Sequence, residues 1–372
     1  MNKENMKTID LILTESCNLN CMYCYEKYKN PKSMSSDKAI EIIDKELNMD
    51  DEFEYVSIHL FGGEPFLVFP TIKKIIEHME KQNYKKKYQL FTTTNGTLVH
   101  GKIQDWLKEK NKILICGLSL DGNREVHNLN RSNSFDQIDL KFFKENYPNQ
   151  SIKMTISTNT LPYLAESVIF CHKQGFLVSC NLAFNIDWSN KENCEYLERE
   201  LLKLINFYIE NPDIKPCSLL DSKIERILAF QNKSYNPKWC GAGTNTKAYT
   251  SDGKFYPCQF FTPLSVGDKK IDANFSKKID KSMLDKKCIN CKIASICPTC
   301  YGANFARTGN LYKKDDDYCK LTKIIIYAVS YFKGMLWKLG RLNLTEKQEK
   351  NLLRSIEIIQ NEFNKEGGEN NV

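Results

Sequence analysis

Residues 14–25 read Thr-Glu-Ser-Cys-Asn-Leu-Asn-Cys-Met-Tyr-Cys-Tyr and place three cysteines in one short loop. Cys17, Cys21 and Cys24 have C-x3-C-x2-C spacing and follow an apolar run over residues 9–14 that predicts a buried strand. A cubane 4Fe-4S cluster has four irons, so three thiolates leave one iron open to another molecule, as a catalytic cluster requires. One alternative to an iron-sulfur cluster is a zinc site, which needs a further ligand from elsewhere because the loop has no histidine. The other alternative is that three core cysteines have this spacing by chance.

Short apolar runs alternate with amphipathic stretches as far as about residue 210. The runs predict strands over residues 9–14, 56–61, 88–93, 113–119, 152–157 and 179–184. The amphipathic stretches predict helices over residues 37–47, 70–81, 102–110, 161–174 and 195–210. This alternation predicts an α/β fold with a parallel sheet, and six units are too few for a full eight-fold barrel. We therefore expect a partial (β/α)6 TIM-like barrel, or a doubly wound sheet, with ligands at the carboxyl ends of the strands.

Composition and charge are those of an ordinary globular protein. The 53 Lys and Arg exceed the 46 Asp and Glu by a net charge of +7 that is spread along the 372 residues, so we expect no nucleic acid partner. Fifteen cysteines, an odd number, without an export signal favour metal binding in the reducing cytoplasm over a disulfide framework. The most apolar stretch, residues 324–332, is about half the roughly 20 residues of a membrane span and predicts a buried helix.

The cysteine loop resembles that of the radical S-adenosylmethionine (SAM) superfamily, which commonly has an aromatic residue where Tyr23 stands. The resemblance implies that the open iron binds SAM, whose reductive cleavage yields a 5′-deoxyadenosyl radical that abstracts a hydrogen atom from the substrate. Turn motifs after the second, third and fourth predicted strands agree in order, although each alone is equally typical of a tight turn. The SAM-binding residues implied by the resemblance are Tyr23, Gly62, Gly63, Glu64, Asn95, Ser119 and Arg131. His127, the one histidine near these motifs, is expected to be structural.

A second set of seven cysteines lies between residues 240 and 319, where periodicity is weak. Its spacing closely resembles the SPASM extension of radical SAM enzymes, which usually carries two auxiliary 4Fe-4S clusters, although the gap before Cys300 is x2 where x3 is usual. The resemblance assigns Cys288, Cys291, Cys297 and Cys319 to an outer cluster and Cys240, Cys258 and Cys300 to an inner one. A zinc ribbon is the alternative, although its cysteine pairs usually stand about 15 to 20 residues apart. The other cysteines, to which we assign no role, are Cys116, Cys171, Cys180, Cys194 and Cys217.

The combination of these two modules implies an enzyme that modifies a peptide or protein. Anaerobic sulfatase-maturing enzymes, which make formylglycine, are similar in length, but three positions differ: Gln259 replaces their aspartate base, Phe61 a glutamine and Thr246 a cluster cysteine. We therefore predict a peptide maturase that forms a cysteine thioether, with no catalytic base identified. Carbon-carbon or carbon-oxygen crosslinking and formylglycine formation stay open as alternative reactions, and an iron-sulfur electron carrier is the non-enzymatic alternative.

The expected domains are a radical SAM barrel over residues 1–215, a bridge over 216–238, a SPASM domain over 239–320, C-terminal helices over 321–366 and a disordered tail over 367–372. Thr345 and Gln348 form a capping-box signal for the last helix. The expected partners are a precursor peptide and an electron donor such as flavodoxin or ferredoxin. Few residues precede the first strand, so recognition of a leader peptide is expected elsewhere in the chain or in a separate leader-binding protein.

Overall fold

The computed structural model describes residues 5–184, 186–232, 240–269 and 284–369. The chain divides into two compact units. The first comprises Met1–Met154, Lys173–Leu177 and Gly241–Lys277, and the second comprises Thr155–His172, Val178–Cys240 and Lys278–Val372. The domain boundaries expected from sequence stay a prediction, and residues 233–238 of the predicted bridge and 370–372 of the predicted tail lie outside the described residues.

The strands alternate with helices in the order that the sequence predicts. They are β1 (Met6–Thr14), β2 (Tyr55–Gly62), β3 (Lys87–Thr94), β4 (Leu114–Leu118), β5 (Ile152–Ile156), β6 (Val178–Leu182), β7 (Thr246–Tyr249) and β8 (Phe255–Tyr256). One sheet has the order β4-β3-β2-β1-β7-β8, and β5 and β6 form a two-stranded sheet. Strands β1 to β4 and β7 are parallel, and β8 is antiparallel to β7. The predicted α/β fold with a parallel sheet is confirmed, and β7 and β8 extend this sheet beyond β1.

The helices of the described residues are α1 (Ser36–Asn48), α2 (Phe69–Met79), α3 (Lys102–Lys110), α4 (Arg124–Asn130), α5 (Leu140–Asn146), α6 (Leu164–Lys173), α7 (Glu192–Glu210), α8 (Pro263–Val266), α9 (Lys286–Ile289), α10 (Tyr301–Thr308), α11 (Asp316–Lys338) and α12 (Glu346–Glu369). Short 3-10 turns span Pro65–Val68, Phe135–Gln137, Leu161–Tyr163, Ile224–Asn232, Gln259–Phe261 and Ala294–Ile296. None of the helices in these ranges is long and apolar enough to cross a bilayer.

Helix ends follow from local capping. The Ser35 hydroxyl accepts a hydrogen bond from the Lys38 N–H at 3.2 Å and begins α1. At α12 the Gln348 side chain accepts from the Thr345 N–H at 2.9 Å and the Thr345 hydroxyl accepts from the Gln348 N–H at 3.4 Å, so the predicted capping box is confirmed. Helix α12 continues through residue 367 to Glu369, into the tail for which we expect disorder. The apolar stretch 324–332 is inside α11, so the predicted helix is confirmed. Ile326, Val329 and Phe332 are buried, whereas Tyr327 and Tyr331 are exposed, so the burial is limited to one face.

The strand register brings the predicted motifs to one edge of the first unit. Thr14 at the end of β1 pairs with Gly62 at the end of β2, and Thr94 at the end of β3 pairs with Leu118 at the end of β4. Alternate residues of β2, such as Ile58 and Leu60, are fully buried on one face of the sheet. The loops at the carboxyl ends therefore rest on a rigid, well-packed sheet, where parallel α/β proteins place their ligands.

Candidate active site and second cysteine site

Cys17, Cys21 and Cys24 lie in the loop after β1 as half-buried free thiols. Burial raises the pKa of all three thiols. The nearby Lys29 ammonium opposes this rise at Cys17 and Cys24, and the Arg131 guanidinium opposes it at Cys21. Two cations thus stand beside the three thiols and favour their thiolate form, which is the form that binds metal.

Two hydrogen bonds to the segment at the end of α4 fix the cysteine loop. Met22 N–H donates to the Asn130 carbonyl at 3.0 Å, and Asn20 N–H donates to the Ser132 hydroxyl at 2.9 Å. Ser132 has a φ of 53°, in the left-handed region that residues other than glycine seldom adopt. The backbone between α4 and the following turn is therefore held in an uncommon conformation at the point where it contacts the cysteine loop.

Asn18 and Asn95 connect the cysteine loop to the loop after β3. The Asn95 amide donates to Asn18 Oδ1 at 2.9 Å, and the Asn18 amide donates to Thr97 Oγ1 at 2.8 Å. Asn95 Oδ1 also accepts from the Thr97 N–H at 3.0 Å. Asn95, an implied SAM-binding residue, thus lies beside the cysteine loop, and Asn18 inside that loop is its hydrogen-bond partner.

Gly62 and Gly63 allow β2 to approach the cysteine loop closely. Gly63 N–H donates to the Thr14 carbonyl at 3.0 Å, and Glu64 N–H donates to the Ser16 carbonyl at 2.9 Å. A Cβ atom on Gly62, which has a φ of 138°, would lie 2.1 Å from the Thr14 oxygen, and one on Gly63 would lie 2.2 Å from the Ser16 oxygen. No side chain fits at either position, so both glycines set the position of the chain that carries Cys17.

The Glu64 carboxyl joins the ends of β2 and β3. It is 1% exposed and accepts hydrogen bonds from Thr94 Oγ1 at 2.8 Å, Asn95 N–H at 2.8 Å and Phe66 N–H at 3.1 Å. Burial raises its pKa to about 7 although these donors and Arg131 oppose the rise. Glu64 is therefore a buried junction between the predicted motifs of the second and third strands.

Asp121 brings Tyr23 and Arg131 together. Its Oδ2 accepts from Tyr23 Oη at 2.7 Å, Arg131 Nε at 2.9 Å and Asn130 Nδ2 at 3.1 Å. The Arg131 guanidinium also lies 5.3 Å from the centre of the Tyr23 ring. Burial opposes the charge of Arg131, but Asp121 outweighs it and raises the pKa of the guanidinium. Sequence reasoning missed this role of Asp121, which lies in the loop after β4.

His127 supports the Asp121 backbone. Its Nδ1 accepts from the Asp121 N–H at 3.3 Å, its Nε2 lies 3.1 Å from Ser134 Oγ, and the side chain is fully buried. Burial lowers its pKa to about 4, with Asp121 opposing and Arg131 adding to the shift. A neutral, fully packed imidazole agrees with the expected structural role.

Four of the cysteines in the second set surround one cavity in the second unit. Cys288, Cys291, Cys297 and Cys319 line a space of about 320 Å³. Burial raises the pKa of Cys288 to about 11 and that of Cys291 to about 12. The Lys314 ammonium, missed by the sequence analysis, donates to Cys297 Sγ at 2.7 Å. The cavity far exceeds the space that one water needs, and its thiol lining fits a cluster of several atoms.

The other three cysteines of the set are distributed over both units. Cys300 caps α10, where its sulfur accepts from the Ala303 N–H at 3.4 Å, and burial raises its pKa to about 11, with Cys240 contributing. Cys240 is exposed and lies in the second unit, and Cys258 lies in the first unit before the Gln259–Phe261 turn. Thr246 begins β7, and its N–H donates to the Gly241 carbonyl at 2.8 Å.

A single metal ion would need three or more ligands that converge on one point. Within the described ranges no such group of His, Cys, Asp and Glu side chains occurs. Cysteines that hold a cubane each bind a different iron and so stand further apart. Three cysteines in one loop and four around one cavity supply the thiolate ligands that iron-sulfur clusters take.

Comparisons with known proteins agree with this geometry. Residues 11–156 match the family model of the radical SAM superfamily. The chain is 24% identical over 356 residues to the radical SAM cyclopropyl synthase TigE of Paramaledivibacter caminithermalis, covering 87% of this chain and 74% of that protein. It is 28% identical over 280 residues to the cysteine-type anaerobic sulfatase-maturating enzyme of Clostridium perfringens, covering 67% of this chain and 72% of that enzyme. The solved structure of anSMEcpe with bound AdoMet and Cp18Cys peptide covers 90% of this chain and 99% of its own, with a TM-score of 0.70 and 20% identity, and shows the shared fold.

The fold, the cysteine loop and the family match together identify residues 11–156 as a radical SAM domain, the part of the enzyme that uses SAM and an iron-sulfur cluster. More particularly, the chain is related to the anaerobic sulfatase-maturating enzymes.

Proposed function

We propose that the chain is a peptide maturase with three 4Fe-4S clusters that joins a cysteine sulfur to a carbon atom of a ribosomally made peptide. The observation that supports it most is the cavity lined by Cys288, Cys291, Cys297 and Cys319, a second thiol site separate from the SAM loop. An enzyme that only cleaves SAM has no need of it. A peptide substrate agrees with the Cp18Cys peptide named in the anSMEcpe structure.

The first cluster is assigned to Cys17, Cys21 and Cys24, and SAM to the loops around them. We assign the polar end of SAM to Gly62, Gly63, Glu64, Asn95 and Ser119. Ser119 is 8% exposed, and within the described residues no group hydrogen bonds to its hydroxyl. A buried hydroxyl of this kind is suited to a polar ligand group. Tyr23 and Arg131, held by Asp121, would form the wall beside Cys21.

The bound SAM and its cluster supply a 5′-deoxyadenosyl radical that takes a hydrogen atom from a substrate carbon. Forming a thioether breaks one C–H bond and one S–H bond and makes one C–S bond. The hydrogen atom ends on 5′-deoxyadenosine, the thiol proton goes to solvent, and one electron is left over. We assign the acceptance of that electron to the auxiliary clusters, and the electron that starts SAM cleavage to a donor such as flavodoxin or ferredoxin.

Two residues favour the thioether over formylglycine. Gln259 follows Cys258 at the position of the aspartate base and cannot accept a proton at neutral pH. Thr246 stands where those enzymes have a cluster cysteine, so one iron of an auxiliary cluster would lack a cysteine ligand and would be open to a substrate thiolate. A reduced cytoplasm is the compartment we propose, because all these thiols have to stay unoxidised.

The test is to co-express the chain anaerobically with a cysteine-containing peptide encoded beside its gene and to measure the peptide mass. A thioether predicts the loss of two hydrogen atoms and a cysteine that iodoacetamide no longer alkylates, with the bond located by tandem mass spectrometry. The variant Cys21→Ala is the matched control and should leave the peptide unchanged. The same mass loss with a cysteine that still alkylates would indicate a carbon-carbon or carbon-oxygen crosslink. Replacement of the sulfur by oxygen together with the loss of two hydrogen atoms would indicate formylglycine, and either result refutes the thioether.

A further inference from the structure

Lys314 is a buried lysine in the segment between α10 and α11 of the second unit. Its side chain is 4% exposed, and its backbone carbonyl accepts from Lys287 Nζ at 2.8 Å. The ammonium points into the cavity of the outer cysteines and donates to Cys297 Sγ at 2.7 Å. Lysine is among the residues least often buried unless it is paired. The buried ammonium of Lys314 therefore requires an anionic partner nearby.

The carboxylates around Lys314 are engaged by other cations. Asp315 pairs with Arg307 Nη2 at 2.8 Å, and Asp316 pairs with Lys287. In the part of the chain that the structure describes, no carboxylate lies within ion-pair distance of Lys314. Thiols are its neighbours, and the Cys297 sulfur accepts its hydrogen bond.

The lining of the cavity is positively charged as a whole. Lys287, Lys314 and Lys323 line it together with the four cysteines, and Glu362 is the one carboxylate among its described lining residues. Glu362 Oε1 accepts from the Lys292 N–H at 3.2 Å. Asp316 neutralises Lys287, which leaves Lys314 and Lys323 against Glu362, and this balance favours an anionic occupant. A 4Fe-4S cluster held by four thiolates carries net negative charge, and one-electron reduction adds one further negative charge.

We propose that Lys314 is the buried counter-ion of the outer auxiliary cluster, and that its N–H···S bond to Cys297 raises the reduction potential of that cluster. The inference rests on the auxiliary cluster of the proposed function. Hydrogen bonds to cluster sulfurs and nearby positive charge favour the more negative, reduced form. Lys314 is thus a positioning residue that makes the outer cluster a better electron acceptor.

The test compares Lys314→Met with Lys313→Met, because Lys313 is the exposed neighbour in the same segment. Both variants are made in a Cys17→Ala, Cys21→Ala, Cys24→Ala background, which lacks the first cluster, and are reconstituted with iron and sulfide under anoxia. The reduction potential of the wave that Cys291→Ala removes is then measured by redox titration with electron paramagnetic resonance. We expect Lys314→Met to lower this potential and to speed loss of iron to a chelator, and Lys313→Met to change neither.

A second measurement separates a counter-ion from a merely structural lysine. In the metal-free protein, Lys314 is a buried cation without a carboxylate, so Lys314→Met should raise or keep the unfolding temperature while the loaded protein becomes less stable. If the variant does not fold, Lys314→Gln, which keeps an N–H donor but loses the charge, should still lower the potential. An unchanged potential in these variants overturns the inference and leaves the cluster assignment standing. If Cys291→Ala loses no iron, the auxiliary cluster itself is refuted, and the inference with it.

Discussion

Replacing Asp121 by alanine removes the acceptor that three buried donors share. Tyr23 Oη, Arg131 Nε and Asn130 Nδ2 reach Asp121 Oδ2 at 2.7, 2.9 and 3.1 Å. The side chain of Asp121 is 0% exposed and that of Arg131 is 9% exposed, so water replaces the lost carboxylate poorly. Breaking a buried ion pair by removing one partner costs about 3–5 kcal/mol, because the other charge stays buried and unpaired. We expect Asp121→Ala to lower the free energy of unfolding by that amount.

A double-mutant cycle isolates the pair. The variants Asp121→Ala, Arg131→Met and the double variant are unfolded in urea as metal-free proteins and followed by circular dichroism. Removing both charges should cost less than the sum of the single changes, by about 2 kcal/mol or more. The exposed pair Arg124–Asp136, whose side chains are 64% and 54% exposed, serves as the control and should show a coupling below about 1 kcal/mol. Additivity within about 0.5 kcal/mol at Asp121 and Arg131 would refute the reasoning.

Two further predictions concern the same unit. Gly63→Ala should remove about four irons per chain, because the new Cβ would lie 2.2 Å from the Ser16 oxygen and displace the cysteine loop, whereas Gly334→Ala, whose Cβ meets Ile356 at 3.7 Å, should keep all iron. Equal iron in both variants would contradict this. His127→Gln should flatten the pH dependence of the free energy of unfolding. Burial lowers the pKa of His127 from 6.5 to about 4, so between these pH values only the unfolded chain binds a proton at this residue. In the parent protein the free energy of unfolding therefore falls as pH drops through that window, by up to about 3 kcal/mol. Urea unfolding at several pH values tests this, and parallel curves for parent and variant would exclude it.

The main strands are predictable from the sequence because each is an apolar run bounded by turn residues. Their parallel order follows from the helices between them, since parallel neighbours need a crossover connection. Strands β7 and β8 escape prediction because they are four and two residues long. β7 exists through pairing with β1, far away in the chain, and β8 through pairing with β7. Helices α4 and α5, of seven residues each, are too short for a periodic signal.

The cysteines and rim motifs are predictable because spacing and order along the chain carry the signal. The residues that hold these cysteines and motifs in place are harder to predict. Asp121 gains its role when the parallel register brings the loop after β4 beside the cysteine loop, and no local pattern records that meeting. Lys314 and Lys313 are neighbours of the same type in a polar segment, and burial alone distinguishes them. Packing between residues that are distant in the sequence determines these roles, and a local sequence pattern does not show such contacts.

SAM cleavage tests the central claim most directly. The chain is reconstituted with iron and sulfide under anoxia, supplied with SAM and a reductant, and assayed for 5′-deoxyadenosine and for iron. The account predicts 5′-deoxyadenosine and about twelve irons per chain, and about eight irons with no 5′-deoxyadenosine once Cys17, Cys21 and Cys24 are replaced by alanine. A chain that binds iron at these cysteines but forms no 5′-deoxyadenosine, or that binds zinc in their place, would contradict it.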